Sequence, residues 1–380
     1  MASQSTDIFF EPLRVGSVTL PNRLAMAPMT RCFATDEVHD PRAVEYYARR
    51  ARSGIGLIIS EGSPPPTPEA PYHPKVPGFG NEAALAKWRD IAEAVNATGS
   101  HMLVQLWHAG VLRDAPGSAH PDVVPVGPSG VFPVLDPDSP DTIEVRQIGR
   151  EMTIADIERT IDLFAETART CQQLGFSGIE LHAAHGYLFD QFFWSESNRR
   201  TDRYGGDFAG RTRLAVETVQ EIRRRTGPDF LIGLRFSQFK PPHYAPRLLA
   251  ETPGELEQLL DPLVASGIDL IHASTRRFWV PEFEGSDLTL AGWTKKITGL
   301  PTISVGSVAL DVAFDPRNGA GAAAGSADIR DLVRMMERGD FDIIAIGRSL
   351  LSNPDWATIV REQGPTALAP FDKAVLDELI

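Results

Sequence analysis

The sequence contains few of the residues that build disulfide frameworks or metal clusters. Only two of its 380 residues are cysteines, Cys32 and Cys171, too few for a disulfide framework or a four-cysteine zinc or iron–sulfur site. Positive charge is also scarce: 37 Lys and Arg face 50 Asp and Glu, and the net charge of −13 argues against a nucleic-acid or anionic-membrane binder. We find no export signal and no apolar run of membrane-spanning length. We therefore expect a cytoplasmic protein with small-molecule partners.

A dinucleotide-binding loop is missing as well, because no G-x-G-x-x-G follows the first apolar run. Eight short β-type runs instead alternate with amphipathic segments, clearest at residues 82–97, 154–174 and 211–225. The eight runs are residues 24–29, 56–61, 101–107, 177–182, 230–236, 269–274, 302–308 and 342–347. This repeat predicts an α/β fold, a single (β/α)8 barrel domain over residues 1–380. A doubly wound open sheet is the alternative, disfavoured by the missing loop.

Three stretches depart from the repeat. Residues 11–22 read as a small N-terminal hairpin, a lid that closes the bottom of the barrel. Residues 108–152 form a proline-rich connection after the third strand, too long for an ordinary loop, and we expect a lid or pocket wall on the active-site side. Residues 318–326, rich in Gly and Ala, predict a flexible insertion.

Active sites of such barrels lie at the carboxyl ends of the strands, so the residues that close each strand are the candidates. Gly306 closes the seventh strand, and Gly347 and Arg348 close the eighth, where many barrels bind phosphate. Glycine lets backbone N–H groups approach an anion, and arginine adds a fork of donors. The alternative is that the glycines ease turns and the arginine is a surface charge.

Polar or small residues also close other strands, namely Thr30, Gly62, Gln105 and Arg235. Together they could hydrogen-bond the edge of a heteroaromatic ring such as a flavin across the barrel mouth. Gln105 offers a donor and an acceptor for N3–H and O2, and Arg235 would stabilise the negative charge that gathers at N1 and O2 on reduction. The alternative for Arg235 is a buried ion pair with Glu61 or Glu180.

Two histidines and a tyrosine, His182, His185 and Tyr187, follow the fourth strand. They could be ordinary hydrogen-bonded loop residues. With His272 on the sixth strand the histidines could instead bind a metal, as in a metal-dependent barrel hydrolase, although the spacing is not that of His-Glu-x-x-His. A third interpretation is a pair of donors that polarises a substrate carbonyl or nitro oxygen, with Tyr187 placed to give a proton.

Five motifs follow one another along the chain. They are Pro28-Met29-Thr30-Arg31, Gln105-Leu106-Trp107-His108-Ala109-Gly110, His182-Ala183-Ala184-His185-Gly186-Tyr187, Arg199-Arg200-Thr201-Asp202-Arg203-Tyr204-Gly205-Gly206 and Gly347-Arg348-Ser349-Leu350-Leu351-Ser352-Asn353-Pro354. In this order they resemble the old yellow enzyme family of FMN-dependent ene-reductases. The resemblance implies non-covalent FMN at the barrel mouth. Its expected contacts are Pro28, Met29, Thr30, Gly62, Gln105, His182 and Arg235 around the ring, and Gly306, Gly347 and Arg348 on the phosphate.

The resemblance also implies a reaction in two halves. NAD(P)H gives a hydride to flavin N5, and N5 then gives it to the β-carbon of an electron-poor alkene, an α,β-unsaturated carbonyl or nitro compound. Tyr187 protonates the α-carbon, His182 and His185 hold the electron-withdrawing group, and Trp107 shapes the substrate pocket. A flavoprotein with no alkene substrate remains the other alternative.

The chain departs from the family pattern in places. One branch of the family has Asn where this chain has His185, and another has Cys at the position of Thr30, whereas here Cys32 lies two residues later. Two segments match no general family motif, and we expect them to set substrate or coenzyme specificity. They are Arg276-Arg277-Phe278-Trp279 and residues 238–243.

Overall fold

A computed structural model describes residues 5–114, 120–136, 139–240, 249–313 and 323–380. A two-stranded antiparallel hairpin, β1 (Leu13–Val15) and β2 (Val18–Leu20), comes first. Eight parallel strands then form a closed barrel in chain order: β3 (Leu24–Met26), β4 (Leu57–Ile59), β5 (His101–Leu106), β10 (Gly178–Ala183), β11 (Leu231–Phe236), β12 (Leu270–Ser274), β13 (Thr302–Val305) and β14 (Ile343–Ile346). The last strand pairs with the first through Ile344 and Leu24, so the predicted (β/α)8 barrel is confirmed.

Helices follow the barrel strands and cover them. Their bounds are α1 (Ala43–Arg52), α2 (Glu82–Asn96), α3 (Ile154–Gln173), α4 (Leu188–Phe193), α5 (Phe208–Thr226), α6 (Pro253–Ala265), α7 (Leu290–Thr298), α8 (Arg330–Arg338), α9 (Arg348–Ser352) and α10 (Trp356–Glu362). Polar side chains start several of them; at α3, Thr153 and Asp156 form a capping box that satisfies the first free N–H groups. In the part of the chain described, no helix is both long and apolar enough to cross a membrane.

The barrel strands read as unbroken apolar runs because both of their faces are buried. β4 and β14 are buried at every position, as parallel strands between a packed interior and a helical coat must be. Inside the barrel a separate apolar cluster includes Leu57, Leu103, Leu231, Ile303 and Ile343. The lower part of the barrel is therefore a packed core, and the space for a ligand lies above it.

The N-terminal hairpin sits at the amino end of the barrel. Val15 and Leu20 are buried in the interior cluster. Gly16, at the turn, has φ 51°, and a Cβ there would come within 2.8 Å of Leu231, the first residue of β11. The hairpin thus packs where the strands begin, away from their carboxyl ends.

The connection after β5 is not a plain loop. Its described residues form β6 (Val126–Gly127), β7 (Val131–Asp136), β8 (Ser139–Gln147) and β9 (Arg150–Glu151), with β7 and β8 antiparallel. The sequence pattern did not predict these strands because the connection is rich in proline, which lowers strand propensity although it is tolerated in edge strands. Residues 115–119 and 137–138 of this connection lie outside the described residues, as do residues 318–322 of the Gly/Ala-rich stretch and 241–243 after β11.

Candidate active site

A cavity of about 640 Å³ opens at the carboxyl ends of the strands. Its volume is in the range of ordinary cofactor and ligand sites. The sequence-predicted residues that line it are Pro28, Met29, Thr30, Gln105, Trp107, His182, His185, Tyr187, Arg235, Gly306, Gly347 and Arg348. The barrel therefore brings together residues that are more than 300 positions apart in the chain.

Two strands, β3 and β13, end three residues earlier than the sequence pattern predicts, and this frees residues for the cavity. β3 ends at Met26, so Pro28, Met29 and Thr30 form a loop along the cavity wall. β13 ends at Val305, and Gly306 follows with φ 139°, in a region that only glycine adopts readily. The sequence pattern predicted both strands too long because the residues that follow them are also partly buried.

Gly62 is the one predicted site residue that does not line the cavity. A Cβ at this position would come within 2.7 Å of the Trp107 ring and 3.3 Å of Gln105 Oε1. Any side chain there would push Trp107 or Gln105 out of place. The glycine therefore lies behind these two side chains and lets them occupy their positions.

His182, His185 and Tyr187 form one cluster at the end of β10. The His182 ring lies 5.1 Å from the His185 ring and 4.9 Å from the Tyr187 ring, and Trp107 lies 4.8 Å from Tyr187. His185 has φ 63°, rare for a non-glycine residue, and its backbone N–H donates to Ser237 Oγ at 3.0 Å. This strained backbone turns His185 towards the same cavity as His182.

Both histidines of the cluster are uncharged at neutral pH. Burial, reinforced by the positive charge of Arg235, holds the pKa of His182 and of His185 well below the usual value of 6.5. His182 Nδ1 accepts from the Ala184 N–H at 3.4 Å, which leaves the ring proton at Nε2. His182 is therefore a neutral hydrogen-bond donor rather than a cation.

A polar network forms the floor of the cavity, and strand register accounts for it. Gln105 on β5 is paired with Glu180 on β10, and Gln105 Nε2 donates to Glu180 Oε1 at 2.7 Å. The other oxygen, Oε2, lies 2.7 Å from His272 Nδ1. Gln105, Glu180 and His272 are all buried, and these bonds fix the orientation of the Gln105 amide.

Arg235 is not in the ion pair that was one alternative from the sequence. Glu180 is occupied by the floor network, and Glu61 accepts a hydrogen bond from the backbone N–H of Arg31. Arg235 Nη2 donates to Ser274 Oγ at 3.1 Å, and among the described residues nothing bonds its buried Nε. A buried guanidinium that faces a cavity in this way fits an anionic or electron-rich ligand.

The other end of the cavity carries two arginines beside two glycines. A Cβ at Gly306 would come within 2.7 Å of Thr275 O, so the segment after β12 packs directly on this glycine. Arg276, which the sequence analysis gave only as part of a segment expected to set specificity, lines the cavity here with Arg348. Burial, with a further contribution from the positive Arg276, lowers the pKa of Arg348. Two cations at one glycine-lined end fit a phosphate group.

Two aromatic residues of the wall had no individual role in the sequence analysis. Tyr72 lines the cavity and stacks on Trp107 at 5.6 Å, and Phe239 stacks on His185 at 5.1 Å. Tyr72 lies in a proline-rich loop and carries no motif. Phe239 falls in the segment we expected to set specificity, but its neighbour Gln238 is structural, since it bonds the backbone of Ala250.

The metal alternative depended on His272 joining His182 and His185. In the described ranges no three or more His, Cys, Asp or Glu side chains are grouped so that they could hold a metal ion. His272 instead bonds Glu180, and His185 Nε2 lies 2.9 Å from Ser274 Oγ. The rings of His272 and His185 therefore bond different polar partners.

The chain is similar to known proteins over nearly its whole length. It is 31% identical over 374 residues to a chanoclavine-I aldehyde reductase of Penicillium roqueforti, which covers 96% of this chain and 91% of that protein. It is 30% identical to an NADH oxidase of Thermoanaerobacter brockii over 93% of this chain and 50% of the relative, so it spans about half the length of that relative.

Solved structures agree with these relatives. Morphinone reductase superposes with a TM-score of 0.76 and 27% identity over 97% of this chain and 92% of that chain, and it has also been solved with tetrahydroNAD. The old yellow enzyme homologue from Zymomonas mobilis gives a TM-score of 0.77 and 26% identity over 97% and 96%. The model of the NADH:flavin oxidoreductase / NADH oxidase family matches residues 8–367. The chain therefore belongs to this family, that of the old yellow enzymes, and is an FMN-dependent oxidoreductase that takes its electrons from a nicotinamide coenzyme.

Proposed function

We propose that this protein reduces the activated C=C bond of α,β-unsaturated carbonyl or nitro compounds. The observation that carries the proposal is the cluster of two neutral imidazoles and a phenol, His182, His185 and Tyr187, on one wall of the cavity. Neutral donors can hold an oxygen as negative charge develops on it, and a phenol beside them can supply a proton. Reduction of an electron-poor alkene needs both.

The cavity suits FMN at both of its ends. Arg276 and Arg348, with Gly306 and Gly347, would hold the phosphate, and Gln105 and Arg235 the polar edge of the ring, with Thr30 and His182 beside it. Bound FMN supplies hydride transfer, from NAD(P)H to the flavin and from the flavin to the substrate. The guanidinium of Arg235 stabilises negative charge on the ring edge because burial leaves it poorly solvated.

His182 and His185 would bind the oxygen of the electron-withdrawing group. Ser274 Oγ accepts from Arg235 Nη2, which leaves its own proton to donate to His185 Nε2 and places the His185 proton on Nδ1. Each ring then offers one N–H to the cavity side of the cluster. Since neither ring is a cation, both stabilise the developing enolate without giving it a proton at oxygen.

Tyr187 would give the proton to the α-carbon. Its ring is held edge-on by Trp107 and His182, and it is the N-cap residue of α4, so the start of that helix fixes its backbone. The Asp190 carboxylate accepts from the Gly186 N–H at 2.6 Å and pairs with Lys240, which ties the Tyr187 loop to the segment after β11. The proton donor thus stands on a rigid support.

One spectroscopic experiment tests the proposal. Purified protein supplied with FMN should be yellow, NADH or NADPH should bleach it without oxygen, and 2-cyclohexenone or β-nitrostyrene should restore the colour. Bleaching that neither alkene reverses would leave a flavoprotein without this substrate class and overturn the proposal.

A further inference from the structure

Glu180 is a fully buried carboxyl for which the proposed reaction has no use. Its side chain and that of its partner His272 are each 1% exposed, in the interior of the barrel below the cavity. It accepts from Gln105 Nε2 at 2.7 Å and bonds His272 Nδ1 at 2.7 Å. A carboxyl in such a place destabilises a fold unless its partners compensate for the lost water.

The partners keep this carboxyl ionised. Burial alone would raise the pKa of Glu180, but His272, the positive charge of Arg235 and the Gln105 amide together hold it below its ordinary value. Burial also lowers the pKa of His272, so that ring is neutral and donates its Nδ1 proton. The floor of the cavity therefore carries one negative charge, on Glu180, and one positive charge, on Arg235.

This arrangement has an electrostatic consequence for a ring bound above it. Arg235 favours the negative charge that reduction adds to a flavin, and Glu180 opposes it. The carboxylate also orients Gln105, so its effect reaches the ring edge both through charge and through a hydrogen bond. With Arg235 alone, reduced flavin would be more stable and a weaker hydride donor.

We propose that Glu180, supported by His272, is a positioning residue that offsets the charge of Arg235 and keeps the reduction potential of bound FMN low enough for hydride transfer to an alkene. The inference rests on the proposed placement of the FMN ring against Gln105 and Arg235. It assigns a function to a carboxylate and an imidazole that the proposed reaction leaves unused.

Glu180→Gln tests the inference because it removes the charge and keeps the size and one acceptor. In the FMN-bound protein at pH 7, the ratio of reduced to oxidised flavin at a fixed potential should rise about tenfold, equal to about +30 mV for a two-electron couple. The oxidative half-reaction with 2-cyclohexenone should slow, while reduction by NAD(P)H should not. A purely structural role would not move the potential in this direction.

Glu61→Gln is the matched control. Glu61 is also a buried carboxyl, but it contacts the Arg31 backbone and lies 3.9 Å from His39 rather than touching the floor network. Burial raises its pKa to about 7, so it carries less charge to remove. We expect the ratio of reduced to oxidised flavin in Glu61→Gln to stay within about twofold of wild type, because the effect of a charge falls with distance and with screening by solvent.

His272→Phe provides a second variant should Glu180→Gln fold poorly, since it keeps a ring and removes the donor. The potential should shift in the same direction by a smaller amount. FMN-bound Glu180→Gln with a wild-type potential, or a shift to lower potential, would overturn the inference and leave the proposed function standing. A wild-type chain that takes up no FMN would overturn both.

Discussion

Replacing Tyr187 by phenylalanine removes the hydroxyl that would protonate the substrate and keeps the ring. The ring contacts with Trp107 at 4.8 Å and His182 at 4.9 Å do not involve the hydroxyl, so the remaining side chain should stay in place. Tyr187 is half-buried at the cavity wall, so water can still reach this position and act as a slower source of protons. A positioned general acid is worth about 10²- to 10⁴-fold, and access of water favours the lower end.

We therefore expect the oxidative half-reaction of Tyr187→Phe to slow about 100-fold, equal to about 2.7 kcal/mol in activation free energy. The reductive half-reaction should change by less than about twofold, because it needs no proton at an α-carbon. Anaerobic stopped-flow absorbance at the flavin band measures the two halves separately, so each variant is its own control. An unchanged oxidative half-reaction would remove Tyr187 from the mechanism, and equal slowing of both halves would indicate a displaced flavin.

Three other changes test the phosphate end, the support of the site and the stability of the fold. Arg276→Gln should weaken FMN binding about tenfold or more and leave the binding of riboflavin, which has no phosphate, unaffected, whereas Arg277→Gln, at an exposed position, should affect neither. Fluorescence titration measures both affinities, and an equal loss for the two flavins would contradict the assignment. Lys240→Met should lower the free energy of unfolding by about 3–5 kcal/mol because it leaves Asp190 buried without its cation, and a loss under about 1 kcal/mol in urea would refute this. Burial lowers the pKa of His39 to about 3, so the stability that its neutral form gives is complete above pH 6.5 and is lost as the pH falls towards 3. In His39→Gln the midpoint of urea unfolding should therefore fall less steeply as the pH is lowered. A pH profile of the midpoint that equals that of the wild type would show the reasoning to be wrong.

The barrel and most of its site could be predicted from the sequence. Buried parallel strands are apolar throughout, and a barrel places the residue after each strand at one rim, so the positions of His182, Arg235 and Gly347 followed from the repeat. Gly62 as a contact of the flavin ring stays a prediction; its place behind Trp107 and Gln105 could not be predicted, since a glycine's neighbours are not visible in a linear pattern.

The floor of the cavity could not be predicted in the same way. Its bonds join Gln105, Glu180 and His272 on three different strands, and which of them meet depends on strand register and side-chain direction. The sequence left Glu180 as one possible ion-pair partner of Arg235 and His272 as a possible metal ligand. Stacking of Tyr72 on Trp107 was equally hidden, because it brings a loop without a motif onto a strand end.

The most direct test of the central claim is the position of isotopes in the product. With nicotinamide coenzyme deuterated at the transferred hydrogen, NMR of reduced 2-cyclohexenone should show deuterium at the β-carbon, since that hydride arrives through the flavin. In D₂O with ordinary coenzyme, deuterium should appear at the α-carbon, where Tyr187 would deliver a solvent-exchanged proton. Reduction that leaves the β-carbon unlabelled by the coenzyme, or no reduction at all, would contradict the account.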